Sequence, residues 1–241
     1  ARGDEQPARR TPRAIRSSRS DERYRTALAE RARSLLRAPL AITPSADFSH
    51  APTLASAQDD LGSGAQARGE RILTLYFHQL FVPGASLIDL RASAFHEAGP
   101  ALIWSPSAWI ADWDPAFLTA LRDVYLGFYT DDVRRFRAGL GTLQIASCED
   151  LFRRHFGGGQ AQQRFRTKEF VSTFHQVFVR CRDQSVELHP DFFALGIYLA
   201  TLYDALDQEG VALDVRACFQ RARDGAARWW QRAERGVQHA P

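Results

Sequence analysis

The chain has no methionine, and Lys168 is the only lysine among its 31 basic residues. Schiff-base chemistry and lysine-based phosphate gripping therefore have one candidate residue, set in a polar stretch. The missing methionine and the alanine at position 1 lead to the expectation of a processed product or a fragment. Cysteine is scarce as well. Cys148, Cys181 and Cys218 are odd in number, widely spaced and free of any C-x-x-C pair. That spacing speaks against a disulfide framework or a cysteine zinc site, and suggests small hydrophobes in a reducing, cytoplasmic setting. No apolar run approaches the roughly 18 residues of a membrane span. The basic N-terminus lacks the apolar stretch of a signal peptide.

Further absences concern chemistry. His78, His96, His155, His175 and His189 form no H-x-x-x-H, H-E-x-x-H or E-x-x-H pair, so they read as capping and core histidines and no metal is expected. No G-x-S-x-G elbow occurs, and no cysteine carries a histidine signature. Gly157-Gly158-Gly159 follows a helical pattern and precedes no Lys-Ser/Thr pair. A helix C-terminus offers carbonyls where a phosphate needs N–H donors, so this is a loop. No cofactor is expected.

What is present is a helical body behind a basic arm. Hydrophobic residues make up 45% of the 241 residues, enough for one core. Residues 1–37 carry eleven arginines against five acids, while the remainder is slightly acidic. The spacing predicts a disordered arm and linker over 1–69, with a short amphipathic helix possible over 21–38. A helical domain follows over 70–235, then a tail over 236–241. Ile72, Leu73, Tyr76, Phe77, Leu80 and Phe81 recur at helical spacing until Pro83-Gly84. The alternation from Ser86 to Phe95, the turn at Ala98-Gly99-Pro100 and the run to Trp104 predict a β-hairpin over about 86–104. Beyond it come helices: Asp114-Pro115 as N-cap and first position, Asp131-Asp132 opening a second, Ser147 with Asp150 capping a third, then Thr167 to Cys181, Pro190 to Gly210 and a last helix capped by Asp214. The fold class is thus mainly α with one hairpin.

Two groups of residues draw attention as sites. His78, Asp89, Arg91, His96 and Trp104 lie near the hairpin, and the period of two puts Asp89 and Arg91 on one strand face. Trp104, Trp109 and Trp113 together read as a clamp of the hairpin onto helices. Trp229 and Trp230 are adjacent, so on a helix they diverge by about 100° and both being core is awkward. They are expected to touch a protein partner or a missing segment.

The run Tyr76-Phe77-His78-Gln79-Leu80-Phe81-Val82-Pro83-Gly84 resembles the catalytic-loop region of the UbiB/AarF family of atypical kinases. Phe77, His78, Pro83 and Gly84 match that pattern. Leu80 stands where the family has its catalytic aspartate, Val82 at the second histidine and Ala85 at the metal-binding asparagine. Ala101 to Pro106 resembles the strand into the Asp-Phe-Gly site, with Trp104 at the aspartate. The resemblance spans roughly 70–215, and implies a kinase-like C-lobe remnant without the carboxylate and metal ligands that phosphoryl transfer requires. The expected function is a non-catalytic binding or scaffold domain, pseudokinase-like. The alternatives are an enzyme with a dispersed pocket near the hairpin, and nucleic-acid binding through residues 1–38, where arginines would neutralise phosphates.

Overall fold

The computed structural model describes residues 14–16, 22–37, 42–44, 64–98 and 101–237, with side chains described except in 14–16, 36–37, 42–44, 98 and 228–237. The protein is mainly helical, with short strand pairs. In chain order the elements are β1 (Ala14–Arg16), α1 (Glu22–Arg37), β2 (Ile42–Pro44), α2 (Ala65–Phe81), β3 (Ser86–Leu87), β4 (Phe95–Ala98), β5 (Ala101–Trp104), β6 (Trp109–Ala111), α3 (Pro115–Tyr129), α4 (Val133–Thr142), α5 (Glu149–His155), β7 (Gln163–Arg164), α6 (Thr167–Asp183), α7 (Asp191–Glu209), β8 (Ala212–Leu213) and α8 (Val215–Val237).

Helix α2 is the axis of the body. Every residue from Arg71 to Leu80 is buried, as expected of a helix apolar on several faces. Around it Tyr76, Phe77, Tyr125, Tyr129, Phe156 and Phe219 meet edge to face or tilted, at centroid separations of 4.9–6.1 Å, except Tyr125 and Tyr129, which lie parallel at 6.3 Å, arrangements that ring quadrupoles favour. The Gln79 amide ties α2 to the strands. It accepts from Leu87 N at 2.9 Å and donates to Leu87 O at 3.1 Å and to the Tyr198 hydroxyl at 2.8 Å.

The capping residues foreseen at Asp114, Asp132 and Asp214 act as such. Asp114 accepts from Ala116 N and Phe117 N, Asp132 from Arg135 N and Asp214 from Ala217 N. Gly210 closes α7 in the left-handed conformation. Ser147 does not cap α5. That helix leads directly out of a 3₁₀ turn, Ala146–Cys148, with no side-chain cap.

The hairpin is shorter than expected. Only β4 and β5 form it, paired from Phe95–Trp104 to Ala98–Ala101. The segment before it is not one strand. Ser86 and Leu87 pair antiparallel with β6, and the chain then turns through a 3₁₀ turn at Ala92–Ala94. The cause is local. Asp89 accepts from the backbone N–H of Arg91 and of Ser107, which competes with strand pairing as Asx turns do.

The described residues before 70 contribute to the body more than the sequence suggests. β1 pairs antiparallel with β6 and β2 pairs parallel with β5. Helix α1, foreseen over 21–38, buries Tyr24, Ala27, Leu28 and Leu35. Its Arg31 is 1% exposed and donates to the carbonyls of Gly84 (2.9 Å) and Ala85 (2.8 and 3.1 Å). Burial lowers this guanidinium to about 10. Gly84 accommodates the contact with φ +93°, and a Cβ there would lie 2.6 Å from Glu30 Oε2. Helix α2 itself begins at Ala65, ahead of the boundary at 70, and α8 runs to Val237, past 235.

Candidate functional site

The residues singled out near the hairpin do not form one site. His78 is fully buried on α2. The Ser34 hydroxyl donates to Arg31 O at 2.9 Å, so its oxygen accepts from His78 Nε2–H at 3.2 Å. Nδ1 has no partner. Burial, with Arg31 nearby, lowers His78 to about 3, so the ring is neutral. Asp89 and Arg91 are brought together, but on each other. Arg91 donates from Nε at 2.8 Å and from Nη2 at 3.0 Å, a bidentate pair, and also reaches Ser107 Oγ at 3.0 Å. Burial raises the Asp89 carboxyl, and the hydrogen bonds from Arg91 and Ser107 outweigh it and hold it at about 2. Trp104 joins this group through Nε1–H to Asp89 O at 2.8 Å, and its ring stacks on Phe95. Trp113 donates to Ser86 Oγ at 2.8 Å. These two tryptophans fasten the strands to the body, as a clamp does. His96 is exposed on β4 opposite Ile103. The side chains of Trp229 and Trp230 lie outside the described residues.

In the kinase-like frame Phe77, His78 and Leu80 are interior positions of α2, Val82 to Ala85 form the turn after it and Trp104 ends β5. The carbonyls of Gly84 and Ala85 are occupied by Arg31 and that of Leu80 by Arg122 Nε. Among the described residues no group of three or more histidine, cysteine or carboxylate side chains is placed to hold a metal ion.

The feature that packing does not account for is the outer face of the α6–α7 hairpin. The two helices run antiparallel. Phe178 meets Phe193 at 5.4 Å, Phe174 lies parallel to Phe192 at 5.2 Å and Phe170 stacks on Tyr203 at 4.8 Å. Helix α6 turns Phe170, Val177 and Cys181 inward, and leaves Val171 58% exposed beside the half-buried Phe174 and Phe178. Val171, Phe174 and Phe178 follow the i, i+3, i+7 spacing of one helical stripe. Helix α7 is apolar nearly all round, the pattern of a helix meant to be covered. Yet Phe193 is 55% exposed, and Ile197 and Ala200 continue from it at i+4 and i+7. Among the described residues the exposed large hydrophobics are Val133, Val171 and Phe193. Two of the three therefore lie on this one hairpin. The stripe was legible in the sequence as an excess of apolar residues over what one core face of α7 needs. It was missed because a fully covered helix gives the same pattern.

No protein-family model, no curated protein and no solved structure matches the chain.

Proposed function

We propose that this is a binding and scaffold domain that associates with a second copy of itself through the outer face of α6 and α7. The observation that carries the reading is the stripe of exposed Phe193, half-buried Ile197 and exposed Ala200 on a helix that is apolar on its other faces too. An antiparallel helix pair with an apolar outer side is half of a four-helix arrangement. A two-fold axis near Ile197 sets the large Phe193 of one copy against the small Ala200 of the other, so that large meets small at both ends. The exposed charges of α6 come in both signs, with Lys168 and Arg182 against Glu169 and Asp183, so a second copy meets no single-sign field. The 17 residues of α6 give a face about 26 Å long at roughly 1.5 Å per residue. With two helices side by side this is on the order of the 800 Å² per partner that stable interfaces bury. Docking, not catalysis, is also favoured by the use of Asp89, Arg91 and Trp104 in bonds that hold the strands.

Sedimentation velocity tests the proposal. The protein is expected at twice its 27.1 kDa chain mass at micromolar concentration. Phe193→Asp should give a monomer. Val133→Asp, which alters the exposed apolar residue on α4, should leave the dimer intact. A wild type that is monomeric at every concentration, or a Phe193→Asp variant that stays dimeric, contradicts the reading.

A further inference from the structure

We propose that a cavity at the foot of α6 is a site for a small oxyanion, a phosphate or carboxylate group on a compact body. The cavity, about 350 Å³, lies between the end of α5 and the first turns of α6. With a water's share of liquid volume near 30 Å³, it has room for a phosphate or a short carboxylic acid and some of its hydration.

Its charge is set by Arg154 and Lys168 on one hand and Glu169 on the other. Arg154 is exposed in the last turn of α5, and among the described residues it has no carboxylate partner. Lys168 is in the same position. The acid whose field it shares, Asp207, is engaged by Thr167 N at 3.0 Å and lies 3.7 Å from Arg166. Among the described residues two cations with no ion-pair contact thus border one concavity, Lys168 feeling Asp207 only through its field, in a chain where most arginines near a carboxylate are paired with it. Arg135, Arg137, Arg153, Arg180, Arg216 and Arg221 all are. The rest of the lining offers hydrogen-bond donors. Thr173 contributes a hydroxyl and Gln176 an amide. The floor is His155 and Tyr203, with rings stacked 5.6 Å apart and the Tyr203 hydroxyl 3.1 Å from His155 Nδ1. That bond orients the His155 ring at the floor, while the charge-assisted hydrogen bonds to an anion would come from the exposed Arg154 and Lys168. Glu169 opposes the ligand, and this gives the proposal a signed test.

Isothermal titration calorimetry at low ionic strength with inorganic phosphate, and separately with acetate, reads the site. The expected result is saturable one-site binding of at least one anion. It should weaken about fivefold or more in Arg154→Ala and in Lys168→Ala, tighten about threefold in Glu169→Gln and stay unchanged in Arg134→Ala on the exposed side of α4. Binding of phosphate alone assigns the site to phosphorylated ligands, and binding of acetate assigns it to carboxylates. Arg154 and Lys168 are exposed, so their substitution leaves the melting temperature in place, and a shift in one variant leaves the other to carry the test. Absence of saturable heat with both anions overturns the proposal. So does equal affinity in the wild type, Arg154→Ala and Lys168→Ala, or an equal loss in Arg134→Ala.

Discussion

His78 and His155 are both kept neutral by burial, lowered to about 3 and about 4. For His78 the hydrogen bonds say the same, since a proton on Nδ1 would have no acceptor among the described residues. In the unfolded chain both rings titrate near 6.5. Below that pH the unfolded state binds protons that the folded state refuses, so stability is complete above about pH 6.5 and falls as the pH drops toward 4. The slope approaches roughly 1.4 kcal/mol per pH unit for each histidine. Asp89, held at about 2, acts lower down. Its contribution is present above about 4 and is lost as the pH falls through 2. Urea unfolding between pH 7.5 and 4.5 should therefore show a steady loss dominated by the histidines. In His78→Leu the baseline stability is lower, because Ser34 Oγ loses its donor, and the slope is about half that of the wild type. An unchanged slope in His78→Leu contradicts this account of the buried ring.

At the scale of elements, α3 and α4 cross with almost no space between them. A Cβ on Gly127 would lie 2.2 Å from Phe136 N and 2.6 Å from its Cα. Backbone cannot yield as a side chain does, so Gly127→Ala should separate the helices and cost about 3 kcal/mol or more. The check is a urea midpoint shift with an unchanged m-value, and a midpoint within error of the wild type would sink the prediction. The helices themselves were legible in the sequence, because periodicity and capping chemistry are local signals. Asp114-Pro115, Asp132, Asp214 and Gly210 sit where those rules put them. The strands were less so. An alternating segment from Ser86 onward satisfies the strand pattern, but the Asp89 carboxylate has backbone donors from Arg91 and Ser107, one of them 18 residues away. No local pattern reports that partner. A shared strand face allows Asp89 and Arg91 either to pair or to line a cleft, and the bonds of Arg91 to Asp89 and Ser107 show a closed pair.

For the whole molecule, the largest departure from the sequence concerns residues before 70. Eleven arginines in 37 residues read as a solvated arm, since arginine is rarely buried without a carboxylate. Arg31 is buried on backbone carbonyls instead, and Tyr24, Ala27, Leu28 and Leu35 join the core. Deletion of residues 1–37 should lower the melting temperature by at least about 8 °C. It removes four buried apolar side chains and leaves the Gly84 and Ala85 carbonyls without their donor. A truncated protein that melts with the wild type would show that α1 is dispensable. The same deletion leaves the α6–α7 face in place, so the oligomeric state of any folded truncated protein should match that of the full chain.

The proposed dimer pairs this face with itself about a two-fold axis near Ile197. Cysteine crosslinking tests it most directly. The native cysteines Cys148, Cys181 and Cys218 are buried and do not compete. On mild oxidation Ile197→Cys should convert most of the protein to a covalent dimer within minutes, at concentrations where Val133→Cys stays monomeric on a non-reducing gel. Equal and slow crosslinking of the two variants would mean random collision, and would contradict association through α7.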